Sequence, residues 1–204
     1  MIAFYLAAAL TLGSVETNAS ASCAPGVYVV AKDGELIALP LAKADHRKVT
    51  GMGGAILLGP FGGNKLKIKT VLAGAAAATK LADARPAFQF CFPVRGAEAG
   101  TSSDYVGVTS TVSPRDYRLV RFEQADDQRE LTLSSAGGFG GAKEQISKSA
   151  VPFQAEEVAP GRYRVTLSRD LPPGQYGFLY ALSALVSARQ KDVQEQVYDF
   201  AVAK

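Results

Sequence analysis

"PAFQFCF" (residues 86–92) places Phe at 88, 90 and 92, with Gln89 and Cys91 between them. Successive side chains of a strand point to opposite faces, so the three rings share one side and Gln89 and Cys91 the other. "KLKIKTVLA" (65–73) repeats the pattern, with Lys65, Lys67 and Lys69 on one face and Leu66 and Ile68 on the other. Both stretches read as half-buried strands, and period two decides the fold class.

The same period recurs along the chain. "GVYVVAK" (26–32) and "ELIALPL" (35–41) flank Asp33-Gly34. Asp-Gly between apolar runs predicts a hairpin with a type I′ turn. "YRLVRFEQ" (117–124) and "RELTLSS" (129–135) predict a second hairpin around "ADDQ". "RYRVTLS" (162–168), "QYGFLYALSAL" (175–185) and "QVYDFAVA" (196–203) complete the set, with "RQKDVQEQ" (189–196) a loop or short hairpin tip. The Ala-rich "VLAGAAAATKLADA" (71–84) predicts at most a turn or two of helix, since Gly74 interrupts it. Long loops are expected at 42–54, 94–116 and 134–150, where Gly, Ser, Thr and Lys outnumber large apolar residues. About ten short strands punctuated by turns predict an all-β antiparallel sandwich of immunoglobulin-like or Greek-key type.

Composition is consistent with this. The 204 residues are 48% hydrophobic and 20% charged, enough to build a core, and 20 Gly with 10 Pro supply many turns. The net charge of +3 comes without a basic block, which argues against nucleic acid as a partner. Residues 1–13 are apolar and too short to span a bilayer, which takes about 20 apolar residues. With Ala19-Ser20-Ala21 as a small-x-small cleavage site, they predict a signal peptide over 1–21 and one sandwich domain over 22–204. No Lys or Arg precedes the apolar run, as a signal ordinarily requires, and a buried N-terminal helix is the competing reading. No transmembrane span is expected after cleavage.

Cys23 and Cys91 are the two cysteines. Three readings stand: a disulfide, two unpaired thiols, or a lipid on Cys23. An exported chain favours the disulfide, which persists in oxidising compartments and stabilises by roughly 3–5 kcal/mol when it closes a long loop. "SASC" fits a lipoprotein signal poorly, because Ser20 stands where Leu is usual.

"PGVY" (25–28), "PGRY" (160–163) and "PGQY" (173–176) share the form Pro-Gly-x-Tyr. Pro presets the second position of a turn and Gly supplies positive φ at the third, so each predicts a turn leading into a strand. The Tyr begins that strand with a ring to bury and a hydroxyl to satisfy.

The order of "PGVYVVAKDGELIALPL", "VLAGAAAATKLADARPAFQFCFP", "YRLVRFEQADDQRELTLSS", "DLPPGQYGFLY" and "VYDFAV" resembles that of uncharacterised exported bacterial proteins and lipoproteins. In these a "G-x-Y…G" strand, an "A…P-x-F-x-F-x-F-P" segment, an "R-E-L" hairpin and an "L-x-P-G-x-Y" turn recur before a C-terminal "Y-D-F-x-V" strand. The resemblance spans most of residues 25–203. It implies a secreted or periplasmic β-sandwich and brings no catalytic residue with it. Gln175 stands where the pattern has Glu, so any role of that charge is absent here.

Catalytic chemistry finds little support. His46 is the single histidine, in the polar stretch "KADHRKV", where a solvated residue is expected. No G-x-S-x-G elbow occurs, and one His with two separated Cys supplies no zinc ligand spacing. Asp126-Asp127, flanked by Glu123 and Glu130, lacks the D-x-[DN]-x-[DN]-G calcium pattern and reads as a hairpin tip; Glu156-Glu157 reads as a surface pair. "GPFGGNK" (59–65) and "GGFGGAK" (137–143) echo a phosphate-binding loop. G-x-x-x-x-G-K-[ST] fails in both, at Asn64 and Leu66 in one and at Ala142 and Glu144 in the other. Each instead predicts a glycine loop anchored by Phe61 or Phe139, and whether they share one end of the sheet is open. Lys65, Lys67 and Lys69 form a basic stripe, read either as a solvated strand face or as an anion-binding site.

The expectation is therefore a non-enzymatic exported protein, periplasmic or secreted, acting as an envelope or binding component. It needs no cofactor or metal, and its partner is an unknown protein or glycan of the cell envelope. The alternatives are a carbohydrate- or anionic-lipid-binding module using loop 94–116 and the Lys65/Lys67/Lys69 stripe, or a secreted enzyme inhibitor.

Overall fold

The computed structural model describes residues 23–50, 66–93, 113–137, 140–180 and 195–203. Fourteen strands occur among them, in two sheets packed face to face. The chain is an antiparallel β-sandwich, with one parallel pairing among the described residues.

The smaller sheet has five strands in the order β11 (Phe153–Ala159), β12 (Arg162–Leu167), β6 (Ala87–Cys91), β1 (Gly26–Val30) and β2 (Leu36–Ala38). β6 is central, and its period-two pattern is realised. Phe88, Phe90 and Phe92 all face the core, while Gln89 and Cys91 point to the outer face. The three rings meet those of the opposing sheet: Phe88 and Phe90 lie edge-on to Phe178 at 4.9 and 5.0 Å, and Phe90 contacts Tyr117 at 5.4 Å. Such edge contacts add about 0.5–1.5 kcal/mol each beyond area burial.

The larger sheet closes on itself. β7 (Tyr117–Ala125), β13 (Gly174–Tyr180), β14 (Glu195–Val202), β3 (Leu41–Thr50), β4 (Leu66–Ala73) and β8 (Gln128–Gly137) pair in that order. β8 then pairs back to β7 through Glu123↔Glu130 to Ala125↔Gln128. This gives a closed six-stranded barrel with one wall packed on the smaller sheet. Alternation along β7, β13 and β14 sends one set of side chains to the inter-sheet core and the other to the barrel interior. On β14, Tyr198, Phe200 and Val202 face the smaller sheet, whereas Val197 joins Ala44, Leu72, Phe122, Leu131, Leu133 and Leu179 inside. Gly177 is needed there: a Cβ on it would lie 2.5 Å from Val197 Cγ1.

β7 and β8 pair only near their hairpin and then diverge. A single helical turn (Ile146–Ser149) fills the seam and buries Ile146 in the barrel core. β9 (Gly140–Glu144) pairs with β8, and β10 (Ala150–Val151) with β7.

Several local expectations are refined. The 71–84 segment, expected to hold at most a turn or two of helix, holds none: β4 runs to Ala73, 74–79 bend across the end of the barrel, and β5 (Lys80–Leu81) pairs in parallel with β14. Ala repeats without a wide apolar stripe give a helix nothing to bury, and tertiary bonds from β8, β13 and β14 take up the backbone instead. Residues 42–50 of the expected 42–54 loop are strand, opposite β4, and 134–150 is mostly the β8–β9 hairpin and the helical turn. Gly137 and Gly140 face each other in that hairpin, so "GGFGGAK" belongs to paired strands rather than a loose loop; Phe139 lies outside the described residues, as does all of "GPFGGNK". The strands that bound the two glycine stretches do end together, through Thr50↔Leu66 and Leu66↔Ala136.

Turn chemistry is also refined. The Asp33-Gly34 hairpin forms, but with a three-residue loop: Gly34 N–H donates to the Ala31 carbonyl at 2.9 Å, and only Gly34 takes positive φ, at 86°. Asp33 Oδ1 accepts from Glu35 N–H at 3.1 Å, which holds the loop in this form. The "ADDQ" hairpin has the expected tight polar turn, with Asp126 at φ 48°. Of the three Pro-Gly-x-Tyr stretches, only Pro160-Gly161 is a two-residue turn with a positive-φ glycine, at 70°. In the other two the Tyr hydroxyl reaches back to the carbonyl four residues earlier: Tyr28 to Ala24 at 2.8 Å and Tyr176 to Pro172 at 2.7 Å. There the ring packs beside the glycine two residues before it.

Candidate functional site

A groove lies over the β7–β8 seam. It is lined by two adjoining hollows of about 710 and 210 Å3 that share Arg121, Glu123, Lys148 and Ser149. The larger runs between β7, the helical turn and the 169–176 approach to β13; the smaller crosses to β8 and reaches Lys67 of β4.

The groove carries mixed charge. Arg121, Lys148, Arg169 and Lys67 are its cations; Glu123, Glu130 and Asp170 are its acids. Register places Glu123 directly opposite Glu130. Like charges in that relation repel, and the chain answers by engaging both Glu130 oxygens. Lys69 Nζ binds Oε2, and Gln128 Nε2 donates to Oε1 at 2.7 Å. Both Glu130 oxygens are thus engaged within the fold. Of the three cations of the larger hollow, Arg121 lies beside Tyr176. Arg121 donates from Nη2 to the Pro173 carbonyl at 3.0 Å, and its guanidinium lies 6.0 Å from the centre of the Tyr176 ring. Burial pushes the Tyr176 phenol up from its ordinary value, and the Arg121 and Arg169 guanidiniums pull it back in part.

The residues singled out from sequence disperse. Lys67 is exposed and lines the groove, Lys69 is tied to Glu130 in its wall, and Lys65 lies outside the described residues. His46 contributes its backbone to β3 opposite Thr70, and its side chain lies outside the described residues. Asp126 and Asp127 are exposed at the hairpin tip. Glu157 closes its own hairpin, accepting from Gly161 N–H at 3.2 Å and facing Tyr163; burial and this carboxylate both raise the Tyr163 phenol. Among the described residues, no three His, Cys, Asp or Glu side chains converge as a metal site would require. None of their helices is long and apolar enough to cross a membrane. The segments 1–22 and 94–112, which hold the expected signal and most of the expected 94–116 loop, lie outside the described residues.

Cys23 and Cys91 are joined in a disulfide across 68 residues, with Cα atoms 6.0 Å apart. It sits on the outer face of the smaller sheet, where Gln89 Nε2 lies 3.6 Å from both sulfurs. Cys23 is thereby committed to Cys91.

The residues that sequence reasoning missed are the groove's Arg121, Lys148 and Arg169, and a buried pair in the barrel. Arg121 could have been found from its phase: it breaks the apolar alternation Tyr117, Leu119 on its face of β7. Lys148 and Arg169 lie far from it in sequence, and only the fold brings them to one groove. The chain matches no family model, no curated protein and no solved structure.

Proposed function

We propose that this chain is an exported, disulfide-stabilised β-sandwich that acts by binding, as an envelope component or recognition module, and is not an enzyme. The observation that carries the reading is the Cys23–Cys91 disulfide. It ties the segment just after the expected cleavage site to the central strand of the smaller sheet, and such a bond persists where thiols are not kept reduced. The apolar, small-residue stretch over 1–21 supports the same compartment.

Binding rather than catalysis is favoured by what the described side chains already do. Glu130 is held by Lys69 and Gln128, and the Tyr176 hydroxyl is spent on the Pro172 carbonyl. The groove offers cations, hydroxyls and amides on a rigid sheet, a set suited to recognition. The test is expression from the native start in a Gram-negative bacterium, followed by fractionation and intact-mass measurement without reductant. The expected species is periplasmic or secreted, begins near Ser22 and is two hydrogens lighter than the dithiol. A cytosolic product that keeps residues 1–21 and carries two alkylatable thiols overturns the reading.

A further inference from the structure

We infer that the groove over the β7–β8 seam binds an acidic oligosaccharide, a short sugar chain bearing carboxylate or sulfate groups, with Arg121, Lys148, Arg169 and Lys67 taking its anionic groups. The inference rests on the reading of this protein as a binding module, and it names that module's ligand class.

Four features select this chemistry. The first is charge. With Glu130 neutralised by Lys69, four cations face two acids, Glu123 and Asp170, so the groove favours an anion. The second is the interspersion of those acids. A polymer with a phosphate at every unit would meet Glu123 and Asp170 with like charge. A chain whose acidic groups are separated by hydroxyl-bearing rings meets them with donors, because a carboxylate accepts from sugar hydroxyls while the guanidiniums and ammoniums take the acid groups.

The third feature is the state of the aromatic residues. Neutral sugars and nucleic-acid bases bind on exposed ring faces. The two rings at this groove, Phe122 and Tyr176, are buried at 3% and 1% exposure, Phe122 in the barrel core and Tyr176 stacked on Phe200. Recognition here therefore falls to charge and hydrogen bonding. The fourth is shape. A membrane surface calls for a flat or protruding face with exposed apolar residues. The large hydrophobics exposed among the described residues are Ile37 on β2 and Val158 on β11, both in the smaller sheet and neither in the groove. The larger hollow, about 710 Å3, falls in the range of roughly 300–1,000 Å3 typical of ligand sites.

The test uses the mature full-length chain with its disulfide intact and titration calorimetry at low salt. The probes are a tetragalacturonate and a heparin tetrasaccharide, with neutral maltotetraose, polyphosphate and phosphatidylglycerol vesicles as comparisons. At least one acidic tetrasaccharide should bind saturably, more weakly as salt rises, and maltotetraose should not bind. The double variant Lys148→Gln/Arg169→Gln changes two exposed residues and should keep the wild-type melting temperature. It should weaken that binding about tenfold or more. No saturable binding of either acidic tetrasaccharide, an unchanged affinity in the double variant, or equal binding of polyphosphate or vesicles each overturns the inference. A disulfide-bonded chain recovered from the periplasm that binds neither tetrasaccharide defeats this inference and leaves the export reading standing.

Discussion

Arg129 and Asp199, 70 residues apart, meet inside the barrel as a buried ion pair at one of its ends, each about 3% exposed. Arg129 also donates from Nε to the Gly74 carbonyl at 2.9 Å and from Nη2 to the Ala73 carbonyl at 3.0 Å. One guanidinium thus fixes β8 to β14 and holds the turn after β4 across the barrel mouth. Gln175 Oε1 adds a bond from Ala77 N–H at 2.9 Å. A bond to each neighbour is what makes a buried charge tolerable.

Removing the carboxylate leaves that charge unpaired. Asp199→Ala should lower stability by about 3–5 kcal/mol, as breaking a buried pair does. The double variant Arg129→Met/Asp199→Leu should cost less than Asp199→Ala, since no orphan charge remains. Urea denaturation of the three chains checks this, and a double variant less stable than the single one would contradict it.

Gly177 predicts a steric effect with a specific remedy. An Ala Cβ there meets Val197 Cγ1 at 2.5 Å, Phe122 Cε2 at 3.1 Å and the Tyr198 carbonyl at 3.3 Å. Overpacking of this kind costs about 1–3 kcal/mol. Gly177→Ala should therefore lower the melting temperature, and adding Val197→Ala should restore part of the loss, although Val197→Ala alone destabilises. Strictly additive losses in calorimetry would show that the Cβ and Val197 do not compete for the same space.

Strand periodicity carried most of this fold. Phe88, Phe90 and Phe92 announced both the strand and its buried face, and the polar tips at Asp33-Gly34 and Asp126-Asp127 announced two hairpins. Closure of the barrel was not legible, because it depends on β13, β14, β3 and β4 linking the outer edges of β7 and β8, and alternation is the same in a flat sheet and a closed one. Arg129 and Asp199 left a faint signal. Arg129 is in phase with Leu131 and Leu133, and Asp199 with Val197 and Ala201, so each is a charge at an inward position. The stripe of Lys67 and Lys69 was legible as a strand face but its partner was not, since Glu130 arrives from 61 residues away.

The disulfide predicts a redox-dependent stability. Cross-linking across 68 residues corresponds to about 4 kcal/mol on the chain-entropy account. The melting temperature should fall on adding reductant, and Cys23→Ser/Cys91→Ser should melt near the reduced wild type and ignore reductant. A wild-type transition indifferent to reductant would remove the bond from the account of stability.

Tyr176 and Tyr28 make the same bond in different surroundings, and that difference is measurable. The Tyr176 bond to Pro172 is half-buried and its ring is packed on Phe200, whereas the Tyr28 bond to Ala24 is exposed. Tyr176→Phe should cost about 0.5–1.5 kcal/mol, the usual net value of such a bond, and Tyr28→Phe less. Burial raises the Tyr176 phenol above its ordinary value of 10.0, and burial with Glu157 raises that of Tyr163. A raised folded-state value means that the native protein holds these protons more tightly than the unfolded chain does. The stabilisation is therefore fully present below pH 10 and is lost as pH climbs through the folded-state values. Wild type should lose stability steadily above pH 10. Tyr176→Phe, with one fewer such proton to lose, should show a shallower decline across the same range in pH-dependent urea denaturation. Equal slopes for the two chains would mean that the Tyr176 proton is held no more tightly in the fold than out of it.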